Sequence, residues 1–274
     1  MKIRKTKFNF DNTPNHYLRG NLFSTHFVNS LHIIFPVGEH FFIKSVKPFM
    51  ANIKEEQLKK DISNFIGQEA THAFQHEKFW KILQNQGFDI EKYSKFIDYL
   101  SNNIIVKNYT KLLGKEKAQK FSLAITAALE HYTAMLAEVV FEHEENWEQL
   151  PDDIRNLIKW HAAEEIEHKS VAFDLLNSVD KSFALRSFSM LMATNLLFGY
   201  SLMGISYFII NDSKINHKKI PLDFIDFVKT IASPSFKKFA SQWVLFFKRD
   251  FHPSQIDNMH FAENYFKENP QYYK

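Results

Sequence analysis

The sequence contains no cysteine among its 274 residues. This excludes disulfide bonds and thiolate metal sites, and it leaves histidine and carboxylate side chains as the strong metal ligands of the chain. The absence of cysteine is typical of a protein in a reducing compartment, so the cytoplasm is the expected location.

Glycine and proline are also scarce, with 7 and 8 residues, which favours long helices over the many tight turns of an all-β fold. The formal charge of +3 is small and no basic stripe stands out, so no nucleic-acid partner is expected. No apolar run of signal-peptide length follows the charged N-terminus. What the chain has instead is 45% apolar residues and 29 phenylalanines, which predict a large aromatic core.

Two copies of a Glu-x-x-His pattern dominate what is present. Glu165-Ile-Glu-His168 and Glu69-Ala-Thr-His72 each place a carboxylate and an imidazole on one face of a helix, where both can reach one metal ion. Two such helices, with one further Glu from each of two other helices, form the ligand set of a dinuclear carboxylate site in a four-helix bundle.

The two further carboxylates are present in the required order. Glu39 lies among bulky apolar residues directly after Phe35-Pro-Val-Gly38, and Glu130 is the only acidic residue between Phe121 and Ala137. A carboxylate in such surroundings is costly to bury unless it is paired or bound to metal. Oxygen and imidazole ligands suit two metal ions, with iron preferred and manganese or zinc as alternatives.

This order predicts an all-α, ferritin-like four-helix bundle with a long crossover connection and additional C-terminal helices. We expect helices over 17–50, 55–86, 121–147 and 152–177, with a kink or restart at Pro36. Three parts of the chain are expected: a polar, poorly specified N-terminal arm at 1–16, the metal-binding bundle at 17–180, and a C-terminal helical extension at 181–274.

Further side chains are placed by the same helical geometry. In an antiparallel arrangement of the second and fourth helices, His76 and His161 meet at one end of the site, as additional ligands or as partners of the ligands. One layer further along we expect Glu138 and His32. His131 points to another face, and Glu164 and Glu167 fall off the ligand face, so that we interpret both as solvated charges.

Four motifs together resemble the bacterial family called predicted metal-dependent hydrolase. They lie at 35–42, 68–76, 130–134 and 160–174, and the resemblance runs from about Leu18 to Phe251-His-Pro253. It implies metal-dependent hydrolysis, as the family's name says, while the ligand pattern is similar to that of ferritin-like di-iron oxidases and oxygenases. The resemblance supports six residues as metal ligands: Glu39, Glu69, His72, Glu130, Glu165 and His168. It supports His76 and His161 as their companions.

Three functions remain open from the sequence. The first is a di-iron enzyme that activates dioxygen on a small apolar or lipid-like substrate, since a dry aromatic bundle suits oxygen chemistry. The alternative is a hydrolase that uses a metal-activated bridging water. The third is non-enzymatic metal binding or storage, which a near-neutral chain does not favour. The sequence predicts no catalytic side chain, and the only reacting group it suggests is a metal-bound water or oxygen.

The stretch Ser187–Asn211 carries no charged residue and is long enough to span a membrane. Asn195, several serines and two glycines inside it favour a buried or interface helix, with a membrane-associated helix as the alternative. The sequence leaves the oligomeric state open, with a homodimer as one expectation.

Overall fold

A computed structural model describes residues 1–232 and 234–270. Within these ranges the chain is all-helical, with 77% helix and no strand, as the sequence predicts. Residue 233 and residues 271–274, which belong to the expected C-terminal extension, lie outside the described residues. The division of the chain into domains stays a prediction.

The first helix, α1, runs from Leu22 to Val46 and continues through Pro36 without a restart. Proline has no N–H, so the carbonyl of His32, one turn earlier, loses its helical donor. Trp80 replaces that donor, because its Nε1 lies 2.7 Å from the His32 carbonyl oxygen. The expected restart at Pro36 is therefore wrong, and an indole from the neighbouring helix satisfies the freed carbonyl.

The second helix, α2, covers Glu56–Asn85 and ends before Gly87, whose φ of 102° suits glycine at the position after a helix. The connection that follows contains α3 (Ile90–Asp98), a π-helical segment (Tyr99–Val106) and α4 (Lys107–Leu113). It leads to the long helix α5 (Lys115–Glu142).

The helix expected over 152–177 is two helices. Helix α6 spans Asp152–His168 and α7 spans Val171–Val179. The chain turns at Lys169, whose buried ammonium donates to the carbonyl of Ile256, 2.6 Å away. Helix α6 thus ends directly after His168, where Lys169 binds a distant segment of the chain.

Helices α1, α2, α5 and α6 pack around one centre, with α1 against α2 and α5, and α6 against α2 and α5. Apolar side chains form a core on each side of this centre. The small residues Ala124 and Ala127 lie in one of these two cores, which also contains Ala172 and Met190. Packed neighbours therefore occupy the space beside both alanines.

The uncharged stretch belongs to α8 (Phe183–Asn211), which packs along α1 and α5. Gly204 lets α8 approach α1 closely, since a Cβ there would lie 2.3 Å from the Cβ of Ser30. Three shorter helices follow: α9 (Ile220–Ile231), α10 (Pro234–Leu245) and α11 (Met259–Glu268).

Among the described residues, α5 and α8 are long and apolar enough to cross a membrane. For α5, 72% of the most apolar 18 residues are buried in the protein, as in a core helix, whereas for α8 the share is 28%. Length and composition alone are weak evidence of a span, because core helices share both properties.

The N-terminal arm is packed, which differs from the poorly specified segment that its sequence predicts. Phe8 and Phe10 are buried in the core. The backbone carbonyl of Thr6 accepts a hydrogen bond from Gln75 of α2, and a Cβ on Gly67 would clash with Ile3. Two phenylalanines spaced by two residues are the signal that identifies the arm as part of the core.

Candidate metal centre

The centre of the helical packing holds a cluster of buried carboxylates and imidazoles. Each member is at most 5% exposed. Helix α1 contributes one, α2 three, α5 one and α6 three, and the members are Glu39, Glu69, His72, His76, Glu130, His161, Glu165 and His168.

The two Glu-x-x-His pairs meet face to face. One ligand atom from each of their four residues lies within 4.8 Å of all the others, which is close enough for shared metal binding. Nδ1 of His168 lies 3.1 Å from Oε1 of Glu69, and Nδ1 of His72 lies 3.4 Å from Oε1 of Glu165. The histidine of each pair therefore contacts the glutamate of the other pair, across the two helices.

A second group adjoins the first. Glu39, His76 and His161 also offer atoms within 4.8 Å of one another. Oε1 of Glu39 lies 3.6 Å from Nε2 of His161, which itself lies 2.7 Å from Oε1 of Glu165. Glu165 thus links the two groups.

Glu130 completes the cluster from α5, with Oε2 3.6 Å from Nδ1 of His168. Among the described residues, no hydrogen-bond partner reaches either carboxylate oxygen of Glu39, Glu69 or Glu130. Nδ1 of His72 and both ring nitrogens of His168 are likewise unsatisfied. Buried polar atoms without partners are costly, and metal ions would satisfy atoms of these types.

His72 is held by a second carboxylate. Its Nε2 lies 2.9 Å from Oε2 of Glu164, while its Nδ1 faces the cluster. Metal-binding histidines usually donate their other ring nitrogen to a carboxylate in this way. Glu164 is fully buried, so its interpretation as a solvated charge is wrong.

Arg4 of the N-terminal arm contacts the same region. Its guanidinium lies 3.0 Å from Glu164 and forms two hydrogen bonds to Glu167, at 2.7 and 2.8 Å. Glu167 also accepts a hydrogen bond from Gln68 and is only partly exposed, so it is no free surface charge either. The arm therefore neutralises the acidic residues that lie behind the ligand face of α6.

Three histidines form a line that leads from His32 to Glu165. Nδ1 of His32 lies 2.7 Å from Nδ1 of His76, and Nε2 of His76 lies 2.8 Å from Nδ1 of His161. His161 then reaches Glu165. His76 and His161 meet at one end of the site, with His32 one layer beyond, where the helical geometry expects them.

Burial determines the charge of these histidines. It lowers the pKa of His32 to about 3 and that of His161 to about 4, and it also lowers the pKa of His76, with the neighbouring imidazoles adding to the effect. Neutral rings are the form that binds metal.

His72 differs from them. Burial lowers its pKa, but the hydrogen bond to Glu164 and the nearby carboxylate of Glu165 outweigh burial and raise the pKa to about 10.

The carboxylates respond to the same burial. Desolvation raises the pKa of Glu39, Glu69 and Glu130 well above the usual value, and nearby carboxylates raise those of Glu69 and Glu130 further. For Glu165 burial acts in the same direction, but the charge of His168 and the hydrogen bond to His161 outweigh it, so its pKa is lowered. A bound metal cation would stabilise the charged forms of Glu39, Glu69 and Glu130 and so lower their pKa values.

Aromatic rings enclose the cluster. Phe35 packs against His161, with 5.1 Å between ring centroids, and Phe65 packs against His168 at the same distance. Trp160 lies 4.9 Å from His72. These rings keep water away from the imidazoles and strengthen every electrostatic interaction inside the centre.

Glu138 lies apart from the cluster. Its carboxylate accepts a hydrogen bond from Gln242 at 2.8 Å and also pairs with Lys238 and Asn258. These partners all come from the C-terminal part of the chain, and the expected position of Glu138 in one layer with His32 stays a prediction. His131 faces the same way, since its Nε2 lies 3.0 Å from the carbonyl of Gln242.

A family model covers nearly all of this architecture. The model described as predicted metal-dependent hydrolase matches residues 2–257, which include every helix that contributes to the cluster. The chain belongs to this family. No curated protein and no solved structure shows a significant match to the chain. The description of the family as metal-dependent agrees with the buried cluster of metal-ligand side chains.

Proposed function

We propose that the protein is a dinuclear metal enzyme and that the buried cluster is its active site. The observation that carries the proposal is the set of buried carboxylate and imidazole atoms without hydrogen-bond partners, drawn from four helices. The ligands would be Glu39, Glu69, His72, Glu130, Glu165 and His168, with His76 and His161 as their companions.

The reaction best supported is hydrolysis, because the family is described as hydrolytic. When bound, two metal ions would supply a Lewis acid and lower the pKa of a coordinated water. The protein's own part is to hold the ligands: Glu164 fixes the ring of His72, and Phe35, Phe65 and Trp160 exclude bulk water. This aromatic lining favours a small apolar substrate.

Oxygen activation is the second candidate, and it rests on the ligand types. Four carboxylates with imidazoles and no thiolate suit iron or manganese better than zinc. We further propose that α1, α2, α5 and α6 form a ferritin-like bundle in which 86–114 is the crossover, since such bundles supply their metal ligands in this order.

Metal analysis of anaerobically purified protein tests the site. The variants Glu69→Ala and His168→Ala should each lose most of the bound metal. The control is Glu138→Gln, which changes a buried carboxylate of α5 outside the cluster and should keep the metal. Full retention of metal in both cluster variants would refute the site.

Exposure of the metal-loaded protein to air separates the two reactions. Hydrolysis predicts metal-dependent cleavage of simple ester or phosphoester probes and no change in the optical spectrum. A visible iron–oxygen absorption band that appears with air, without any cleavage, would favour oxygen activation instead.

A further inference from the structure

A second group of metal-ligand side chains lies outside the buried centre. His16 precedes α1, His26 lies in α1, and Asp212 directly follows α8. Nε2 of His16 and Nε2 of His26 lie 2.7 and 3.0 Å from the same oxygen, Oδ2 of Asp212. Three segments far apart in sequence thus direct three ligand atoms at one point, all within 4.8 Å of one another.

The geometry suits a small divalent ion. Zinc binds nitrogen and oxygen at about 2.0–2.2 Å, which places neighbouring ligand atoms of a tetrahedral site roughly 3.3 Å apart. The two contacts to Asp212 are within about 0.6 Å of that separation. Two histidines and one carboxylate, with a fourth position left open, are a ligand set that catalytic zinc sites use.

The ligands are already oriented from behind. Oδ1 of Asp212 accepts a hydrogen bond from the backbone N–H of Lys214 at 2.7 Å, so Oδ2 is directed at the histidines. Nδ1 of His26 lies 3.3 Å from the side-chain amide of Asn29, and the ring stacks on Phe208 with 5.4 Å between centroids. The stacking and the contact with Asn29 hold the ring with Nε2 towards Asp212.

The group is also accessible. His26 is buried, but His16 is about 20% exposed and lines a surface cavity of about 280 Å³ together with Gly20, Asn216, Lys219 and Asp223. An ion can enter from this cavity, and its open position would face a pocket that contains both a lysine and a carboxylate. The buried centre has no part in this pocket.

We propose that His16, His26 and Asp212 form a second, separate site for a divalent transition-metal ion of the zinc type. The ion joins the N-terminal arm, α1 and the end of α8.

Zinc content of the full-length protein tests the proposal. After loading with Zn²⁺ and desalting, His16→Gln and Asp212→Asn should each bind one zinc per chain less than the wild type. His217→Gln, which changes an exposed histidine on the same surface, should match the wild type. Equal zinc content in His16→Gln and the wild type would overturn the site.

Cobalt substitution keeps this site distinct from the buried centre. In Glu69→Ala, Co²⁺ should still give the intense visible bands of tetrahedral coordination, and adding His16→Gln should remove them. Bands that survive His16→Gln, or bands absent from Glu69→Ala, would show that the three side chains form only a hydrogen-bonded cluster. His16 is partly exposed, so this variant is expected to fold, which circular dichroism checks.

Discussion

His72 and Glu164 lie in hydrogen-bonding contact across the interface of α2 and α6, with 2.9 Å between Nε2 and Oε2. We expect Glu164→Gln to weaken metal binding about 10–100-fold, the usual cost of removing a carboxylate behind a histidine ligand. Glu167→Gln is the matched control, because Glu167 shares Arg4 with Glu164 but bonds Gln68 instead of His72. Titration of the metal-free protein measures both affinities, and equal losses would contradict the assignment.

The bond from Trp80 to the His32 carbonyl predicts a reciprocal pair of variants. Trp80→Phe should lower the free energy of unfolding by about 1–3 kcal/mol, because it leaves a buried carbonyl without a donor. Pro36→Ala restores a helical N–H to that carbonyl, so the double variant should recover part of the loss. Denaturant unfolding of all four proteins measures the coupling, and strictly additive effects would argue against it.

The contact of α8 with α1 gives a prediction for two glycines of one helix. Gly204→Ala should destabilise the protein by about 1–3 kcal/mol, since its Cβ would collide with Ser30. Gly199→Ala meets nothing within 4 Å and should instead stabilise the helix by about 0.5–1 kcal/mol. Thermal unfolding compares the two, and similar shifts in both would mean that α8 does not pack on α1 as described.

Removal of metal should make stability depend on pH above neutrality. Burial raises the pKa of Glu39, Glu69 and Glu130. For His72, the carboxylates of Glu164 and Glu165 outweigh burial and bring the pKa to about 10. At a pH above its usual pKa, each of these groups holds more protons in the folded state than in the unfolded state, so the free energy of unfolding falls as the pH rises. The stabilisation from the His72 proton is therefore complete below about pH 6.5 and is lost as the pH rises towards 10.

The buried histidines with lowered pKa values and Glu165 do not oppose this trend. The lowered pKa values of His32 and His161 act only below about pH 6.5, and that of Glu165 only below about pH 4.5. From pH 7 to 9 the free energy of unfolding of the metal-free protein should fall, by up to about 1.4 kcal/mol per pH unit for each group. Denaturant unfolding should show a smaller fall in the metal-loaded protein. A flat or rising profile without metal would contradict the expectation.

The exposed face of α8 predicts where the protein is found after lysis. Phe188, Phe198 and Leu202 are at least 49% exposed, but the helix packs along α1 and α5 and contains the buried Arg186 near its start. We expect recovery in the soluble fraction without detergent, because the helix covers part of the protein's own core. Recovery only with detergent would instead assign α8 to a membrane.

Most of the helices could be predicted because their signals are local. The start of α2 and the end of α5 differ from the expected bounds by only one and five residues. The spacing of Glu69 with His72, and of Glu165 with His168, brings each pair to one helix face wherever the helix lies. The assignment of these residues as ligands stays a prediction that the metal analysis tests.

The misses have in common that a distant segment decides them. Trp80 carries α1 through Pro36, and the carbonyl of Ile256 binds Lys169 where α6 ends. Helical position alone likewise does not show that Lys238 and Gln242 bind Glu138.

The sequence by itself determined an all-helical protein with two Glu-x-x-His faces and two further buried carboxylates, since helical periodicity and the cost of burying charge are readable along the chain. Only the tertiary structure decided that Glu164 lies behind His72, that Arg4 reaches α6, and that His16, His26 and Asp212 converge. Contacts between residues up to about 200 positions apart depend on how helices pack, and no local pattern encodes them.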